Sequence, residues 1–157
     1  MLKYVNTMVT FSEVPDEISL CIEISNCPCH CKNCHSSYLV QDIGTELTFN
    51  EVRKLIKKNS GISCIALMGG DAEPNKINAL ASFIINHYSS IKVAWYSGRQ
   101  ELSNSIDLSN FDYIKLGPYK EEFGPLNSRT TNQRFYKVSD GELINITSKF
   151  WKHETEN

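Results

Sequence analysis

The sequence predicts an α/β domain built on a mostly parallel sheet. Two observations carry this reading: short β-branched apolar runs alternate with helical stripes, and each apolar run stops at a glycine-containing or cysteine-rich turn. A chain of 157 residues also suits one domain, 1–157, with no linker, repeat or low-complexity tract inside it.

Ile18 to Ser25 (ISLCIEIS) reads as a buried strand running into a cysteine-rich loop at 26–38. Thr48 and Glu51 then have capping-box spacing, with Glu51 expected to reach back to the Thr48 amide. Val52, Leu55 and Ile56 supply the apolar stripe of a helix to about Ser60. Ser63 to Met68 is a second strand, ended by Gly69-Gly70-Asp71, and Pro74 opens a helix whose core face is Ile77, Leu80, Phe83 and Ile84. Ile91 to Tyr96 and Tyr113 to Leu116 are further strands, closed by Ser97-Gly98 and Gly117-Pro118, with a short helix expected at Gln100 to Ser105. Arg134 to Val138 and Leu143 to Ile146 are the last strand candidates. Right-handed crossovers place the ends of successive parallel strands on one edge, where ligands of α/β sheets collect. The cysteine loop and the three glycine turns therefore converge.

A formal net charge of −2 argues against a broad nucleic-acid footprint. No charged-then-apolar leader opens the chain and no apolar run approaches membrane-spanning length. A cytoplasmic protein without a membrane or nucleic-acid partner is the expectation. In that compartment the cysteines of NCPCHCKNCH point to metal binding or catalysis rather than disulfides. A structural zinc site usually draws on two separated ligand pairs, and no second pair is present; a zinc-stabilised, non-redox binding module is the alternative of another class. Cys27, Cys31 and Cys34 have the spacing C-x3-C-x2-C, which suits thiolate ligation of an iron–sulfur cluster from one loop. Three cysteines leave one iron of a cubane open, and Cys29 becomes an extra thiol. Cys21 and Cys64, in apolar strands, read as small buried hydrophobes.

C-x3-C-x2-C after the first strand, followed by Gly69-Gly70-Asp71 after the second, resembles the radical S-adenosylmethionine (radical SAM) superfamily. Trp95-Tyr96-Ser97-Gly98, Asp112 to Tyr119 (DYIKLGPY) and Leu126 to Arg134 (LNSRTTNQR) are similar to successive motifs of the anaerobic ribonucleoside-triphosphate reductase activating proteins. Leu116, where those proteins usually carry an aspartate, and the extra Cys29 depart from the pattern.

The resemblance implies a short partial (β/α) barrel of the radical SAM type. It implies a [4Fe-4S] cluster on Cys27, Cys31 and Cys34, and S-adenosylmethionine chelated at the open iron. Gly69, Gly70 and Asp71 would hold the methionine part; Ser97 reads equally as a donor to the cofactor and as an ordinary turn serine. One electron, from a donor such as a flavodoxin or ferredoxin, would cleave the cofactor to methionine and a 5′-deoxyadenosyl radical. That radical would take a hydrogen from a glycine of the partner reductase. Modification of another peptide or of a small molecule is the alternative within the same chemistry. Arg129, Asn132, Gln133 and Arg134 are candidate partner contacts or a solvated polar loop, and Lys115 meets a cofactor carboxylate or faces solvent. No catalytic side chain is expected beyond the cluster and cofactor site.

Overall fold

The computed structural model describes residues 1–31 and 37–151. Cys34 and His35 lie outside the described residues. The strands are β1 (Lys3–Thr10), β2 (Ser19–Ile24), β3 (Thr45–Glu46), β4 (Cys64–Met68), β5 (Lys92–Tyr96), β6 (Tyr113–Leu116), β7 (Arg134–Ser139) and β8 (Glu142–Asn145). The helices are α1 (Phe49–Lys58) and α2 (Pro74–His87). All eight strands form one sheet in the order β3-β1-β2-β4-β5-β6-β7-β8.

This overturns the expected partial (β/α) barrel with a mostly parallel sheet. Only the central pairings β2–β4, β4–β5 and β5–β6 are parallel. The flanking pairings β1–β2, β1–β3, β6–β7 and β7–β8 are antiparallel. The physical reason lies in the connections. The link from β5 to β6 lacks an apolar stripe at helical spacing; among the described residues it forms only a 3₁₀ turn at Leu108–Asn110, and the helix expected at 100–105 is absent. The link from β6 to β7 is likewise non-helical and rich in Gly, Pro, Asn and Ser, so β7 returns antiparallel. A barrel needs a helix per crossover to cover its wall.

The two helices cover one face. Ile22, Ile24, Ile65, Leu67, Val93, Trp95 and Ile114 point there and pack on Val52, Leu55, Ile77, Leu80 and Ile84. The alternate residues Cys21, Cys64, Ala66, Ala94, Tyr96 and Tyr113 point to the opposite, helix-free face. Val14 from the β1–β2 connection, Phe135 from β7 and the flanking Leu126 and Phe150 cover that side. Burial on both faces explains the continuous apolar runs of β2, β4, β5 and β6. Burial also pushes the Cys21 and Cys64 thiols up to about 12, in keeping with inert packing groups.

β1 is not legible as a buried run, because Asn6, Thr7, Met8 and Val9 are all exposed on this second strand from the edge. At α1 the Thr48 hydroxyl accepts the Glu51 amide at 3.0 Å. The Glu51 carboxylate, expected on the Thr48 amide, instead accepts the Tyr4 hydroxyl at 2.7 Å, tying α1 to β1. Burial and this carboxylate raise the Tyr4 phenol to about 12. Thr48→Ala is expected to cost about 1 kcal/mol in chemical denaturation, whereas Thr48→Ser leaves stability nearly unchanged.

Candidate functional site

The parallel strands β2, β4, β5 and β6 end on a common edge, followed there by the cysteine loop, Gly69-Gly70-Asp71, Ser97-Gly98 and Gly117. Backbone bonds fix the start of the cysteine loop: the Asn26 amide donates to Gln41 O at 2.9 Å and the Cys27 amide to Leu39 O at 2.8 Å. Asn26 and His30 take positive φ, so the chain turns sharply twice between β2 and Cys31. Cys27, Cys29 and Cys31 are half-buried free thiols, and His30 is exposed.

Asp71 is the hub of the edge, 8% exposed. Its Oδ1 accepts the Ser97 hydroxyl, and its Oδ2 accepts the Gly98 amide at 2.9 Å and the Cys29 thiol at 3.7 Å. The Ser97 hydroxyl oxygen in turn accepts the Arg99 amide at 3.1 Å. Two of the residues expected to contact a cofactor, Asp71 and Ser97, are thus bonded to each other and shape the turn after β5. The glycines are also explained by the protein's own packing. Gly69 (φ +110) would place a Cβ 2.9 Å from Ile24 O, and Gly70 (φ +87) would place one 2.4 Å from the Ile77 side chain. Gly69 O accepts the Trp95 indole at 2.7 Å. A Cβ on Gly98 would meet the Cys29 sulfur at 2.7 Å, so the glycine there lets the cysteine loop lie against the β5 turn.

The Cys27 thiol is pulled down to about 6, chiefly by a hydrogen bond from the Cys29 thiol, against an opposing effect of burial. Cys29 is raised by that same bond, by burial and by Asp71. The lowering favours the Cys27 thiolate, the form that ligates metals and reacts with electrophiles. Its alkylation by iodoacetamide in metal-free protein is expected to fall as pH drops through about 6, whereas in Cys29→Ala the fall occurs at higher pH. Peptide mapping by mass spectrometry across a pH series checks this.

Lys115 is 8% exposed and lies at the ends of β5 and β6. Its ammonium donates to Ser97 O at 3.1 Å and Gly117 O at 2.8 Å, pinning the ends of β5 and β6 together. The LNSRTTNQR segment is mostly engaged internally. Asn132 donates to Pro118 O, Arg134 to Thr131 O and Gln133 O, and Arg129 lies over the Trp151 ring. Gln133 is different, because its side chain lines a cavity of about 960 Å³ on the helix-free face. That cavity also takes in Phe11, Glu13, Tyr96 and Lys115. Sequence reading missed Phe11 and Glu13, because nothing local marks a strand connection that folds under a distant face.

Fold and site together define a mixed-sheet α/β protein with a thiol-, glycine- and acid-bearing edge beside an open cavity. No family model, curated protein or solved structure matches the chain. No helix among the described residues is long and apolar enough to cross a membrane.

Proposed function

We propose that the chain is an iron–sulfur activating enzyme that uses S-adenosylmethionine to generate a glycyl radical on a partner reductase. The observation that carries this reading is the meeting of the Cys27–Cys31 loop, the Gly69-Gly70-Asp71 turn and the Ser97-Gly98 turn, joined through the bonds of Asp71 to Cys29 and Gly98. Three segments that carry the sequence resemblance come together there, although the sheet around them is not a barrel.

The donor set suits the cluster. Cys27 carries a lowered thiol and shares its loop with Cys31, while Cys29 is drawn aside toward Asp71. The third ligand, Cys34, lies outside the described residues. Among the described residues no three His, Cys, Asp or Glu side chains form a ready metal group. When bound, the cluster would supply the single electron that reductive cleavage of S-adenosylmethionine requires. The chain's own contribution is positional. Asp71 holds the β5 turn and the cysteine loop in register, and Lys115 fixes the ends of β5 and β6 beside the cavity.

Anaerobic purification followed by iron and sulfide analysis tests the reading, together with S-adenosylmethionine cleavage under dithionite. The expected result is a brown protein with equal iron and sulfide that releases methionine. Addition of the reductase is then expected to give a glycyl radical in electron paramagnetic resonance. A colourless protein with one zinc and no sulfide would overturn it in favour of the binding module.

A further inference from the structure

We infer that the cavity on the helix-free face binds an uncharged, extended peptide segment whose main chain pairs with the side-chain amide of Gln133. This rests on the reading above that the substrate is a glycine of another protein, and it adds the residues that would hold that segment.

Gln133 is 7% exposed and lines the cavity, and its side-chain amide is not among the sealed, unpaired polar atoms of the described residues, so it opens to the solvent of the cavity. An amide presented in this way exchanges water for the polar groups of a ligand. A primary amide offers one N–H and one C=O side by side, which matches the donor and acceptor of a peptide unit. The fixed position of the residue is built in. The Gln133 backbone N–H donates to Thr131 Oγ1 at 3.1 Å, and its backbone carbonyl accepts the Arg134 guanidinium at 2.8 Å.

Charge on the walls argues for a neutral segment. The ionisable side chains lining the cavity are two acids, Glu13 and Asp16, and two lysines, Lys115 and Lys149. Lys149 and Asp16 pair at 3.1 Å, and burial raises the Glu13 carboxyl above its ordinary range. Ser12 and Asn127 add neutral polar groups to a lining otherwise made of apolar and aromatic residues, and Phe11 stands 75% exposed at the cavity, offering an aromatic contact that the protein itself does not use. About 960 Å³ in an open groove lies at the upper end of small-ligand sites, roughly 300–1,000 Å³, and accommodates a short stretch of chain. The cavity adjoins the edge site directly. Lys115 lines it and bonds Ser97 O, and the hydroxyl of Ser97 bonds Asp71.

The test is a titration of ¹⁵N-labelled full-length protein with the terminally blocked octapeptide acetyl-(Val-Gly-Ser-Gly)₂-amide, followed through the side-chain amide signals of glutamine and asparagine. The Gln133 signals are expected to shift saturably. Gln133→Leu is expected to weaken binding by about tenfold, the effect of removing one partner of a buried hydrogen bond. Phe11→Ala, on an exposed residue that leaves the fold intact, should weaken it as well. Replacing both valines by glutamate should reduce affinity. Unmoved Gln133 signals, or equal affinity in Gln133→Leu and wild type, would overturn the inference. The titration needs no cluster, so a protein without iron would remove the proposed function and leave this result standing. A protein that cleaves S-adenosylmethionine but ignores the peptide would do the reverse.

Discussion

Cys27→Ala, Cys31→Ala and Cys34→Ala are each expected to lose iron and acid-labile sulfide together, and with them all S-adenosylmethionine cleavage. A cubane held by three thiolates has no spare protein ligand, so removing one leaves two irons unheld. Cys29→Ala is expected to keep the cluster. Its sulfur sits 3.7 Å from Asp71 Oδ2 and against Gly98, engaged with the β5 turn rather than open to a metal. The variant should still differ from wild type. The Cys29 S–H, shared between Cys27 and Asp71 Oδ2, is the main influence that lowers the Cys27 thiol, and hydrogen bonds to ligating sulfurs tune the potential of such clusters. A hydrogen bond to a thiolate favours the reduced cluster, so its loss should lower the midpoint potential in Cys29→Ala. Iron and sulfide analysis with redox titration decides the matter. Loss of the cluster in Cys29→Ala alone would mean that the ligand set has been misassigned.

Asp71→Ala is expected to be the most damaging substitution at the edge outside the cysteines. The buried carboxylate satisfies the Ser97 hydroxyl and the Gly98 amide, and it receives the Cys29 thiol. Truncation leaves those donors without their acceptor. An unmet buried donor costs about 1–3 kcal/mol, so a loss of about 3 kcal/mol is expected. At roughly 2–4 °C per kcal/mol for a domain of this size, the melting temperature should fall by about 6–12 °C. Asp71→Asn, which keeps one oxygen acceptor, should recover about half of that loss. Calorimetry on the metal-free protein reads the effect without any contribution from a bound group. A melting point for Asp71→Ala within about 1 °C of wild type would show that the hub is not what holds the turn.

The strands β2, β4, β5 and β6 are legible because both their faces are buried, which leaves a continuous apolar run in the sequence. Helices α1 and α2 are legible from their stripes and from Thr48 and Pro74. The convergence of the cysteine loop with the glycine turns followed from strand direction alone. What escaped was the course of the chain beyond β5. Antiparallel and parallel neighbours place the same side chains toward the same core, so the apolar pattern of Arg134–Ser139 does not reveal its direction. β1 escaped for a different reason, because its middle residues are exposed and write no burial pattern.

The sequence by itself determined the central strands, the two helices and the set of soft ligands and glycines that reach one edge. Each is a local property, set by periodicity, capping and turn chemistry. Only the tertiary structure decided that the sheet is mixed, that Asp71 serves Ser97, Gly98 and Cys29, and that Gln133 lines a cavity with Lys115 and Phe11. Those facts depend on which distant segments share a face. That is settled by long-range packing, which leaves no mark at any one position in the chain.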